Sequence, residues 1–243
     1  MASTTKTVAF FGASTGVGFS ALKHSLAAGL QCTALCRTPS KLESIFPADS
    51  TPNLTIIKGD AHDITAVSQC IRAEDGKLVD MIITTIGSRP IWYKMSIEDP
   101  ECCRKGAAIL IEAIAQLRSQ GVTGNPHIVS FSTTGLSRFG RDYPIALFPI
   151  YAWLLHAAHA DKRIMEDRFV ASGEGFTIIR GSLLNDGETT KTVRVGIEDP
   201  KTGRESTAIG YFISREDAGR WIAENLILQK TEGYKNKILM ITT

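Results

Sequence analysis

The stretch Val8-Ala9-Phe10-Phe11-Gly12-Ala13-Ser14-Thr15-Gly16-Val17-Gly18 constrains the fold of this chain more than any other. A short apolar run reads as a buried parallel strand and ends in a glycine-rich turn. A helical pattern through Ala21, Leu22, Leu26 and Ala27 follows directly. Strand, glycine turn and helix N-terminus in that order are what a dinucleotide pyrophosphate needs. Gly12 permits the tight turn, Gly16 the approach of backbone to phosphate, and Gly18 the packing of helix on strand. The orphan N–H groups of the first helical turn, with the positive end of the helix dipole, then face the anion. Ser14, Thr15 and Val17, between those glycines, are expected to line the same site.

Composition supports a Rossmann-like α/β fold, with a doubly wound parallel sheet and helices on both faces. At 243 residues the chain suits one such domain over residues 1–243. Substrate-side segments are expected at about 136–158 and 181–212, the latter a small C-terminal substrate-binding region. A net charge of +2 gives no argument for nucleic acid or an acidic membrane surface. The five cysteines are odd in number and lack CxxC pairs, so reduced thiols are expected, with no disulfide scaffold and no metal. No signal-peptide pattern and no run of about 20 apolar residues is present, so the expectation is a cytoplasmic protein acting on a small molecule.

The second strand, Gln31–Cys36, ends at Arg37-Thr38-Pro39-Ser40-Lys41-Leu42. An acidic residue at this junction binds the ribose 2′-OH of NAD, whereas an arginine accommodates the 2′-phosphate of NADP. Arg37, with Ser14 and Lys41 as helpers, therefore points to NADP(H); a solvated basic turn is the alternative. Gly12-x3-Gly16-x-Gly18 has the glycine spacing of the short-chain dehydrogenase/reductase superfamily, and Arg-x-Pro-x-Lys-Leu resembles the NADP-selecting turn of its atypical, NmrA-like branch. That branch includes reductases, isomerases and non-catalytic cofactor sensors.

The resemblance extends along the chain. It implies that Asp60 and Ala61, after the third strand, hold the adenine, and that Thr85, Ile86 and Gly87 replace the Asn-Asn-Ala-Gly segment beside the ribose. It puts Ser132, at the end of the fifth strand, on the substrate carbonyl; serine also ends strands for local reasons. Residues 136–149 are rich in aromatics and proline and read as a substrate lid, a dimer face or a loop over the sheet edge. Tyr151, Trp153 and His156 continue this stretch into a long helix running to about Ala171, but without the superfamily's Tyr-x-x-x-Lys pair. Lys162 matches the lysine of atypical reductases in its distance from the next strand, while Ala158 stands where tyrosine should. His159, His156 or Tyr151 are the alternative proton donors, histidine because it titrates near neutrality. Lys162 and Glu166 read equally as an exposed i,i+4 pair. Arg180-Gly181-Ser182-Leu183-Leu184 looks like the Arg-Pro-x-x-Leu segment that passes under the nicotinamide, and Glu188–Thr207 reads as a hairpin or mobile flap. Ile213-Ser214-Arg215-Glu216-Asp217 matches the family's Ile-Ser-x-x-Asp, with Ser214 as helix N-cap, and reads as a fold signature more than chemistry.

The expected function is an NADPH-dependent reductase of a small apolar or aromatic carbonyl or enone. A cofactor sensor and a non-redox isomerase, dehydratase or cyclase remain as alternatives.

Overall fold

The computed structural model describes residues 6–88, 90–91, 96–149, 155–189, 191–229 and 231–243. Its order is β1 (Thr7–Phe11), α1 (Gly16–Ala27), β2 (Gln31–Cys36), the single turn α2 (Ser40–Glu43), β3 (Leu54–Lys58), α3 (Ile64–Cys70) and β4 (Met81–Thr84). Then come the short strands β5 (Pro90–Ile91) and β6 (Ser96–Ile97), α4 (Cys102–Ser119), β7 (His127–Thr133), α5 (His156–Ala171), β8 (Gly175–Gly181) and β9 (Leu183–Asn185). The chain closes with β10 (Arg194–Asp199), β11 (Gly203–Arg204), β12 (Phe212–Ser214), α6 (Arg215–Ile222) and β13 (Lys237–Thr242).

One nine-stranded sheet runs β11-β10-β13-β8-β7-β4-β1-β2-β3. The seven strands from β13 to β3 are mutually parallel, and β10 lies antiparallel on β13. This is the doubly wound sheet expected from the sequence. Its strand order reverses between β2 and β4 on either side of β1, so the crevice lies at their carboxyl ends.

Alternation along β1 divides the core. Val8 and Phe10 face α1 and α6 with Leu22 and Ile222, whereas Ala9 and Phe11 face α3, α4 and α5 with Val67, Ile114 and Phe169. Both faces are covered, which explains why the strands read as unbroken apolar runs.

The long helix expected to run to about Ala171 is α5, His156–Ala171, with Leu155 as its N-cap; Tyr151 lies outside the described residues. Of the two readings of residues 188–207 the hairpin is the one found, since β10 pairs antiparallel with β11 through Glu198↔Arg204 and Asp199↔Gly203; β10 also joins the main sheet on β13 through Arg194↔Thr242 to Glu198↔Ile238. The 188–207 segment is polar because β10 lies at the sheet's periphery, with Arg194 exposed and only alternate residues buried.

Glu166 is reassigned. It does not pair with Lys162 on the helix surface; it is buried against Arg180. Arg180, 3% exposed, donates to Glu166 from Nε (3.1 Å) and Nη2 (2.7 Å) and to Glu198 from Nη1 (2.9 Å), with Asp142 3.9 Å away. Burial opposes the guanidinium charge, and the Glu166 and Glu198 carboxylates outweigh it. Asp142 accepts from the Gly135 N–H at 2.8 Å, and burial raises its pKa. One arginine thus ties α5, β8, β10 and the segment after β7 together, rather than reaching towards a nicotinamide.

Arg180→Met should cost about 3–5 kcal/mol, because it leaves carboxylates buried without their cation. Those carboxyls would then have raised pKa values in the folded state. The deficit relative to the parent should therefore widen as pH rises and shrink towards acid. Chemical denaturation across pH tests this; a pH-independent loss would contradict it.

Candidate cofactor and active site

The β1–α1 turn is held by contacts with no room for side chains. Gly12 has φ +81°, and a Cβ there would lie 2.9 Å from both the carbonyl carbon and the oxygen of Thr85. At Gly18 a Cβ would lie 2.2 Å from Thr85 Oγ1 and 2.9 Å from the Gly12 oxygen. Thr85 N–H donates to the Phe11 carbonyl (2.9 Å), and its hydroxyl donates to the Gly12 carbonyl (3.1 Å). The glycine loop and the end of β4 are therefore one packed unit, and Thr85, Ile86 and Gly87 lie beside the loop.

Thr15, the N-cap of α1, makes no side-chain capping bond, and the first turn holds no acid. In α3 Asp63 caps the Thr65 N–H at 2.9 Å, and in α6 Ser214 caps the Asp217 N–H at 2.9 Å. The N-terminus of α1 thus offers its orphan N–H groups and dipole to an anion.

A cation unassigned by sequence reasoning lies over this turn. A Cβ on Gly16 would be 3.5 Å from Arg215 Cδ and 3.9 Å from its Nε. Arg215 is carried there by tight packing of α6 on α1. A Cβ on Gly219 would meet Ser20 Cβ at 2.4 Å and the Val17 oxygen at 2.5 Å, and Ser20 Oγ donates to the Glu216 carbonyl at 2.9 Å. Lys23 and His24 reach the Glu216 carboxylate at 2.6 and 2.9 Å. Although burial raises the pKa of Glu216, those hydrogen bonds hold it at about 2. The Arg215 guanidinium pairs with Asp186, 88% exposed, at 2.7 Å. The signal available in sequence is the position: a cation in the first turn of a helix opposes the dipole and calls for an anion nearby.

Arg37 is exposed directly after β2, and Lys41 is exposed in α2. Asp60 and Ala61 follow β3 at the same sheet edge; Asp60 accepts from the His62 N–H at 2.9 Å. His62 Nε2 contacts the Cys102 carbonyl at 3.0 Å, and ligand atoms of His62, Asp99 and Cys102 lie within 4.8 Å of one another. Burial and the charges of Asp99 and Asp161 push the Cys102 thiol up to about 11, with Arg37 opposing them.

Lys162 is placed by its neighbour. Asp161, 1% exposed, accepts from the backbone N–H groups of Cys103 (2.8 Å) and Arg104 (2.9 Å), so it caps α4 from α5. Lys162 Nζ then donates to the Phe131 carbonyl at 3.0 Å, at the carboxyl end of β7. Cys103 Sγ bonds the Ile86 carbonyl at 3.4 Å, which links this corner to the segment after β4. Ser132, opposite Arg180 in register, is 2% exposed, and its buried Oγ has no hydrogen-bond partner among the described residues. An orphaned hydroxyl of this kind costs about 1–3 kcal/mol and suits a site completed by a ligand. His159 departs from expectation: burial, reinforced by Arg163, Lys162 and His156, pushes its pKa down to about 4. It is a neutral imidazole at pH 7.

An uncapped helix N-terminus, a loop with no room for Cβ atoms, a flanking arginine and an orphaned hydroxyl near Lys162 fit an elongated dinucleotide. The profile of the family described as NAD(P)H-binding matches residues 12–227. The chain is 38% identical to Reductase pytE of Aspergillus terreus, with all of both chains covered. It is 28% identical to Oxidase pynE of Aspergillus niger, over 91% of this chain and 93% of that one. In structure it superposes on a wide-type short-chain dehydrogenase/reductase from Veillonella parvula, solved in complex with NADP. The TM-score is 0.72 at 14% identity, with 98% of this chain and 94% of that chain covered.

Gly18→Ala should lower stability by about 1–3 kcal/mol through overpacking against Thr85. Adding Thr85→Ala should return part of that loss, because the nearest clashing atom is gone. Melting of the two single variants and the double variant measures the coupling; strict additivity would refute the contact.

Proposed function

Because the chain belongs to the NAD(P)H-binding family of atypical short-chain dehydrogenases/reductases and is an oxidoreductase, we propose that it is an NADPH-dependent reductase of a small apolar or aromatic carbonyl or enone. The observation that carries the cofactor choice is Arg37 at the end of β2, where an NAD enzyme would carry an acid. Lys41 and Ser14 support the same 2′-phosphate. The α1 N-terminus holds the pyrophosphate, and Arg215 exchanges Asp186 for it. Asp60 and Ala61 receive the adenine, and Thr85, Ile86 and Gly87 border the ribose.

A bound nicotinamide supplies the hydride. The chain supplies position and charge. Lys162, held by Phe131 and by the Asp161 cap, fixes the ribose and presents an ammonium to the oxygen that gains negative charge. The Ser132 hydroxyl orients the carbonyl. With alanine at 158 and burial disfavouring the charged imidazole of His159, Lys162 is the proton-delivery candidate of this reading. Reductase pytE, 38% identical over the whole chain, supports the reductive direction.

Arg37→Glu should weaken NADPH binding by roughly 10- to 100-fold, the worth of a charge-assisted contact, and leave NADH within a few-fold. Arg215→Ala should weaken both cofactors alike, by about tenfold. Equal losses of the two cofactors in Arg37→Glu would refute the 2′-phosphate assignment. For turnover, the purified protein with NADPH is offered 1,4-naphthoquinones, flavins and aromatic ketones. Acceptor-dependent NADPH consumption that falls at least 100-fold in Lys162→Met is expected; NADPH binding without consumption would overturn the reductase reading.

A further inference from the structure

Beyond β13, a cavity of about 530 Å³ opens at the carboxyl edge of the sheet. Pro144, Ile209, Tyr211 and Phe212 give it apolar walls, and Lys191 and Arg194 are its charged lining residues. Among the described residues no aspartate or glutamate lines it. Tyr211 and Phe212 are 50% and 48% exposed, with ring centroids 6.5 Å apart, so the two rings form an aromatic surface that the fold leaves uncovered.

Two features show that the walls are built into the fold. Arg194 Nη2 donates to the Ile209 carbonyl at 3.2 Å and approaches the Thr243 carbonyl at 3.5 Å. The backbone thus fixes the guanidinium through Nη2, and among the described residues no hydrogen bond is made by Nε or Nη1. Gly210 lies between these groups, where a Cβ would come within 2.1 Å of Thr242 Oγ1 and 2.9 Å of Arg194 Nη2. Phe212 also pairs with Leu183 of β9, which follows directly from the end of β8. The cavity thus lies along the same carboxyl edge of the sheet as the end of β7. At about 4.8 Å per strand, β10, which carries Arg194, lies three strands or roughly 14 Å from β7 along this edge.

We propose that this cavity is the distal half of the substrate site and that the substrate is an anionic aromatic or conjugated compound. Its negative group is held by Lys191 and Arg194, roughly 14 Å from the carbon reduced near Ser132 and Lys162. The assignment rests on the reductase reading. A volume of this size suits one small aromatic body, and fixed cations facing apolar walls select an acid over its neutral analogue. The burial of the aromatic frame would supply affinity, and the cations would set orientation.

The test uses two fluorescent probes with the same carbon frame, on the full chain with NADPH present. One is 8-anilinonaphthalene-1-sulfonate and the other is the neutral N-phenyl-1-naphthylamine. The sulfonate should bind at least tenfold more tightly. Lys191→Glu/Arg194→Glu should abolish that preference while neutral-probe affinity moves less than twofold, with circular dichroism unchanged. Equal affinities in the parent protein, or sulfonate binding that is unaffected by the double substitution, would overturn the proposal. Turnover separates the two claims. Selective sulfonate binding without NADPH consumption on any acceptor would sink the reductase reading alone. Consumption of 1,4-naphthoquinone and its 2-sulfonate with equal KM would sink the anionic-substrate assignment alone.

Discussion

Everything functional in this molecule depends on the close approach of the β1–α1 turn to the end of β4. Gly12 and Gly18 meet Thr85 where no Cβ fits, and the Thr85 hydroxyl closes the contact on the Gly12 carbonyl. That packing brings the α1 N-terminus to the point where the strand order reverses, and it leaves α1 uncapped by its own residues. A fold that spends such tight packing on a turn, yet leaves the first helical N–H groups open, is built to receive an anion there.

Around that point the structure uses the same device twice: a buried carboxylate or carbonyl on one element fixes a cation on another. Asp161 caps α4 and thereby places Lys162 on Phe131. Glu216, gripped by Lys23 and His24, helps to dock α6 on α1 and places Arg215 over Gly16. The Arg180 cluster does the corresponding work behind the sheet, where it braces the segment after β7 against β10. Positive charge is thus distributed along the crevice by long-range packing, and the net charge of the chain gives no hint of it.

The parallel sheet was legible in the sequence because strands covered on both faces must be apolar at every position, as β1 is. The glycine turn was legible because its requirements are local. The hairpin of β10 with β11 was one of two readings that the turn at 199–203 allowed, but the pairing of β10 with β13, some forty residues later, was not legible, because its peripheral position keeps Arg194 exposed. Lys162 could be placed by its distance from the next strand, but not told from a surface ion pair, because Glu166 turns to Arg180 rather than to Lys162. Arg215 was visible only as part of a fold signature, since its neighbour Gly16 lies at the other end of the chain. His159 could not be read as neutral, because its environment comes from packing around α5.

The central claim is that this crevice holds a nicotinamide dinucleotide and selects it by the 2′-phosphate. Calorimetric titration of the purified protein with NADPH and NADH in parallel tests it most directly. The account predicts one site per chain, with NADPH bound at least tenfold more tightly than NADH. Absence of binding by either cofactor would contradict the reading of Gly12–Gly18, and equal affinity for both would contradict the role given to Arg37.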